Sequence, residues 1–107
     1  MSEPTYLQAV EPVTVMALVT IAEDQPMALA EYLRVSTILL DRVGARITNR
    51  FAVSEMVVGS APAQSVLMVR YPSRAAVDLV FGSPEYKALI PVRDRAFLTY
   101  KISIVTE

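Results

Sequence analysis

Residues 66–97 constrain this chain more than any other stretch, because they carry their own punctuation. Val66 to Tyr71 is apolar and β-branched and stops at Pro72, which reads as a strand. Ser73-Arg74 then opens a helical pattern that breaks at Gly82, and Ser83-Pro84-Glu85-Tyr86 opens a second one that runs toward Phe97. A serine at the N-cap accepts a bond from an orphan backbone N–H, and a proline one residue later has its φ already set for the first turn. Both helices are expected to start where these caps stand.

The remaining elements follow from periodicity. Residues 1–12 have no period and contain Pro4 and Pro12, so they read as an arm, with a single domain over 13–107. Val13 to Ile21 is apolar on both phases and predicts a strand buried on both faces. Glu23 and Asp24 supply negative charge and a cap ahead of Pro26, where a helix begins. Its stripe is Leu29, Tyr32, Leu33, Ser36, Leu40 and Val43, ending at Gly44. Ile47 to Val58 reads as a second strand, with Ile47, Phe51 and Val53 on one face and Thr48, Arg50 and Ser54 on the other. Turn residues Gly59 to Pro62 lead into a third strand, Ser65 to Tyr71. Leu98, Tyr100, Ile102 and Ile104 alternate with polar residues in a last strand. The order β-α-β-β-α-β is the split βαβ arrangement of a ferredoxin-like α+β fold with a four-stranded antiparallel sheet.

Composition narrows the chemistry. The 107 residues include no cysteine and no histidine, which removes the commonest nucleophile and base pairs and most zinc, copper and haem ligand sets. Neither a metal nor a cofactor is called for, and chemistry here would run on carboxylates, tyrosines, arginines or the substrate itself. Ten basic and eleven acidic residues, with no basic block, argue against nucleic-acid binding. The absence of a basic residue before Arg34 is wrong for a signal peptide, and no apolar run is long enough for a bilayer, so a cytoplasmic protein without a membrane partner is expected. The three glycines form no phosphate-cradling loop. A domain of this size buries roughly 60–70% of its unfolded surface. With 53% hydrophobic residues, the excess favours a second buried surface shared with another copy, hence a homodimer, over a monomer with an ordinary apolar surface.

The wording Tyr-Pro-Ser-Arg, Ser-Pro-Glu-Tyr and Pro91-Val92-Arg93 resembles a family of small bacterial proteins of unknown function in the dimeric α/β-barrel superfamily. The resemblance implies that the sheet face away from the helices is covered by a second subunit. It also implies neighbours that include cofactor-independent monooxygenases and isomerases; the haem branch relies on an axial histidine that this chain lacks. After Gly44 the sequence is Ala45-Arg46-Ile47, where relatives have a glycine-rich strand entry.

Candidate site residues are those that interrupt apolar faces. Arg93 shares a helical stripe with Tyr86, Leu89, Ile90 and Phe97, and a guanidinium there could clamp a carboxylate or enolate, or pair with Glu85 or Asp94. Tyr86 and Tyr71 could donate to a substrate oxygen, or to a backbone carbonyl. Arg50 and Arg70 lie on strands, Arg70 in phase with Val66 and Met68, and complete the ligand-binding candidates with Tyr71. Glu55, in phase with Ile47, Phe51 and Val53, is the candidate base, since an unpaired carboxylate on an apolar phase would have a raised pKa, although solvent is close at the strand's end. Ser73 and Ser83 read as caps, not nucleophiles. Two functions follow: a cofactor-independent enzyme on a small anionic or aromatic metabolite, or a non-catalytic dimer that binds a small ligand or simply packs.

Overall fold

The structure is a computed structural model that describes residues 11–106, so the arm expected over 1–12 lies, but for Glu11 and Pro12, outside the described residues. The elements are β1 (Val13–Ile21), α1 (Pro26–Val43), β2 (Arg46–Ala52), β3 (Ser65–Tyr71), α2 (Arg74–Phe81), α3 (Pro84–Ala96) and β4 (Phe97–Val105). The strands form one antiparallel sheet in the order β2-β3-β1-β4, the ferredoxin-like α+β arrangement. Among the described residues no helix is long and apolar enough to cross a membrane.

Local chemistry sets the helix boundaries. Ser73 Oγ accepts from the Ala76 N–H and Ser83 Oγ from the Tyr86 N–H, each at 3.1 Å. Gly44 closes α1 at φ 77°, a left-handed conformation that a side chain rarely adopts. Gly82 is needed for a different reason: a Cβ there would lie 2.7 Å from the Asp78 carbonyl oxygen. The start of α1 departs from expectation. Gln25 is the N-cap residue and makes no side-chain bond, while Glu23 and Asp24 are exposed in the preceding turn. Proline's preset φ starts this helix without a capping side chain.

The core lies between the sheet and α1, α2 and α3. Val15, Ala17 and Val19 of β1 and Val69 and Tyr71 of β3 are buried on one sheet face. On α1 the buried positions are Ala28, Tyr32 and Leu39, with Val35 and Val43 partly buried. This is the expected stripe rotated, so that Leu33 is 50% exposed. The helices α1 and α3 run antiparallel: the Ala22 N–H donates to the Ala96 carbonyl at 2.9 Å near one end, and Arg42 pairs with Glu85 at the other. Full burial of side chains such as Leu39 and Leu89 stabilises the fold by roughly 1.5–3 kcal/mol each.

Among the described residues nothing covers the other sheet face. Met16 and Leu18 of β1 stand directly opposite Met68 and Val66 of β3, and all four are only partly buried. Within one chain β1 is therefore buried on one face only, not on both. The second strand also differs from its sequence reading. It stops at Ala52, and Thr48 is an extra residue: Ile47 pairs with Val69 but Asn49 with Met68. This bulge puts Ile47 in phase with the core and Phe51 on the uncovered face, opposite Val66.

Candidate functional site

The polar centre of the molecule is built from three distant tyrosines. Tyr86 stands in the first turn of α3, held there by the Ser83 cap; Tyr32 is in the middle of α1; Tyr100 lies on β4 opposite Val19. Because α1 packs along α3 above β4, the rings meet edge to face, with centroids 6.2 Å apart for Tyr32 and Tyr86 and 5.7 Å for Tyr32 and Tyr100. Tyr86 Oη donates to Tyr100 Oη at 2.9 Å, Tyr32 and Tyr86 hydroxyls are 3.1 Å apart, and Tyr32 and Tyr100 are also hydrogen-bonded. In such a triangle each hydroxyl donates once and accepts once, so the ring closes on itself. Phe81 and Phe97 pack against it, at 4.8 Å from Tyr86 and 5.2 Å from Tyr32 respectively.

Arg93, two turns along α3 from Tyr86, lies over this ring. Its Cζ is 5.1 Å from the Tyr100 ring centre and 5.9 Å from that of Tyr86, within range of cation–π attraction. Nη1 donates to Tyr86 Oη, and Nε and Nη2 to Asp94 Oδ1, all at 3.4 Å. These bonds are at the long limit, and the side chain remains 24% exposed, so the guanidinium is held loosely at the entrance to a buried cluster. Partial burial opposes its charge, yet the Tyr86 hydroxyl and the Asp94 carboxylate keep its pKa above the ordinary arginine value.

Tyr32 and Tyr100 are held neutral. Burial, reinforced by Tyr100 and Tyr86, pushes the Tyr32 hydroxyl well above its ordinary range; burial and Tyr86 do the same to Tyr100. Tyr71, in the same core, is pushed from 10.0 up to about 12 by burial and by Tyr86. A tyrosine freed by unfolding ionises first, so high pH favours the unfolded chain. Stability from these groups is expected to be complete below pH 10.0 and to fall as the pH rises through the window up to about 12. Urea-unfolding midpoints measured across that window, alongside tyrosinate absorbance, check this; a constant midpoint would mean that the phenols are solvated.

Of the candidates named from sequence, Arg93 and Tyr86 are brought together, and Tyr71 joins the same core. Arg50 and Arg70 lie elsewhere, both exposed, on β2 and β3. Glu55 is not on a strand: β2 ends three residues before it, and the carboxylate is exposed in the loop that leads to β3. Alternation continued past the last ladder bond, and this misplaced it. Sequence reasoning missed Tyr32 and Tyr100, which it counted as core positions on their elements. The signal available was their hydroxyls, since a packing residue at two core positions needs none. Among the described residues no group of three carboxylates could hold a metal ion. Two surface grooves of about 470 and 490 Å³ lie at the β2 edge and beside the start of α1; neither is lined by Arg93 or the tyrosines.

Residues 14–107 match the family described as Domain of unknown function (DUF1330), and the chain belongs to it. No curated protein matches the chain. Among solved structures, a protein of unknown function from Rhodopseudomonas palustris is 20% identical with a TM-score of 0.76, over 100% of this chain and 94% of its own. SnoaB, a cofactor-independent oxygenase from Streptomyces nogalater, is 11% identical with a TM-score of 0.61, over 91% of this chain and 93% of its own. A dimeric protein of unknown function with a ferredoxin-like fold from Bacteroides fragilis is 13% identical with a TM-score of 0.54, over 90% and 96%. At these identities the likeness is one of fold.

Proposed function

We propose that this member of the DUF1330 family is a homodimeric α/β-barrel protein that acts, without a cofactor, on a small anionic or aromatic metabolite, with Arg93 and the Tyr32–Tyr86–Tyr100 ring as its reactive centre. The observation that carries the reading is a partly exposed guanidinium, with hydrogen bonds of 3.4 Å, above the hydroxyls of two buried tyrosines and one partly buried one. A carboxylate, phenolate or enolate that exchanged those long contacts for a charge-assisted bidentate pair would gain at little loss. Tyr100 is the ring member with most solvent access, and turning its proton outward would supply a second donor to the same oxyanion. With Glu55 in an exposed loop and Asp94 paired with Arg93, this centre has no free carboxylate base among the described residues. It suits a substrate acidic enough to ionise once an arginine holds the resulting anion. The likeness in fold to a cofactor-independent oxygenase supports the class of chemistry and no more.

The test is a spectral titration with para-nitrophenol, whose colour reports its ionisation. Binding as the phenolate is expected, and Arg93→Gln should weaken it by roughly 10- to 100-fold with the fold retained. If affinity is unchanged, or if the variant unfolds, Arg93 is structural. That second reading has its own support, because no buried side-chain polar atom among the described residues lacks a partner. On that reading the ring is a polar lock joining α1, α3 and β4 in a non-catalytic dimer.

A further inference from the structure

The β2–β3 register sets Arg46 directly opposite Arg70, which places their Cβ atoms about 5 Å apart on the same face. Like charges in this position repel, and among the described residues neither arginine makes an ion pair. The ion pairs present use Arg42, Arg74 and Arg93 instead. Arg46 also lines the groove of about 470 Å³ between the C-terminal half of α1 and β2, and so does Arg50, which likewise has no ion pair among the described residues. Thr37 adds a hydroxyl to this wall, and Asp41 is its single carboxylate. Two guanidiniums outweigh it, with Arg70 behind Arg46, in a chain whose formal net charge is -1.

The bulge at Thr48 sets the two groove arginines on either side of the edge strand. It reverses the phase of β2 between Arg46 and Arg50, so that Arg50, opposite Leu67, lies on the helix side of the edge strand and Arg46 on the other. The two long side chains flank the edge from both sides, and the groove opens between them and α1. Among the described residues the edge strand carries no neighbour on its outer side, and Arg46 and Arg50 are both exposed.

We propose that this groove binds the oxyanion group of a small metabolite, a carboxylate or a phosphate, held by Arg46 and Arg50 with Arg70 reinforcing the field and Thr37 donating a hydrogen bond. The site is separate from the tyrosine centre and does not depend on it.

The experiment is a titration of the full chain with inorganic phosphate and, in parallel, with citrate, followed by amide and guanidinium NMR signals, with sodium chloride matched for ionic strength. Saturable shifts at Gly44, Arg46 and Arg50 are expected, and the tighter of the two anions identifies the group preferred. Arg46→Gln and Arg50→Gln should each weaken binding by about tenfold, while Arg34→Gln, away from the groove, should not. Shifts that do not saturate, that sodium chloride reproduces, or that survive both groove substitutions would overturn the proposal. So would shifts that follow protein concentration instead of anion concentration, since a second copy's carboxylates would then be meeting these arginines.

Discussion

Tyr32→Ala is expected to lower the unfolding free energy by roughly 3–5 kcal/mol. That is a large share of the roughly 5–15 kcal/mol that holds a typical domain together. The ring touches Tyr86, Phe97 and Tyr100 at once, on α3 and β4, so its removal opens a cavity where α1 meets its neighbours. It also leaves two buried hydroxyls with one partner fewer each. Tyr32→Phe separates the two effects: the ring stays, Tyr86 and Tyr100 remain bonded to each other, and a loss of about 1 kcal/mol is expected. Urea unfolding of the three proteins measures both steps. Equal losses for the two variants would show that hydrogen bonding, and not packing, dominates this junction.

Met68→Glu is expected to break the proposed dimer while leaving the chain folded. Met68 faces Met16 at the centre of the uncovered sheet face and is only partly buried in the single chain, so a carboxylate there is tolerated in isolation. Covered by a second copy, it would be an unpaired charge among methionine, leucine and valine side chains, at a cost of about 3 kcal/mol or more. The dimer dissociation constant should therefore rise by at least ~100-fold. Sedimentation at several concentrations reads it, with Met27→Glu, on the outside of α1 at 85% exposure, as the control that should not respond. A monomeric parent protein, or an equilibrium that Met68→Glu does not move, would mean that the copies do not meet through this face.

What the sequence revealed and what it concealed divide along a physical line. Ser73, Ser83, Pro84 and Gly44 act on backbone groups within a few residues of themselves, and the elements they bound lie where the sequence put them. The first strand, the third and the order of elements along the chain followed from such local signals. The end of β2 did not, because Val53 and Glu55 continue an alternating pattern after the ladder to β3 has ended. Nothing in residues 46–52 announces the bulge at Thr48, which exists only in relation to the opposite strand. The site was half legible for the same reason. Arg93 and Tyr86 share a helix face and could be read together; that Tyr32 and Tyr100 complete their ring depends on how α1 settles against α3 over β4. A rotation of α1 relative to the stripe expected for it was enough to change which residues it buries.

The bulge also makes the second strand a switch of identity. Upstream of Thr48 the strand offers Ile47 to the core; downstream it offers Arg50 to the helix side and Phe51 to the opposite surface. Deleting Thr48 would keep the β2–β3 pairs and both faces, whereas pairing through Thr48 without the bulge would exchange what the downstream half presents: an aromatic ring would turn beneath α1 and a guanidinium would enter the apolar sheet face. A chain that paired this strand without the bulge would thus carry a differently charged groove and a differently greasy association surface with no substitution at either.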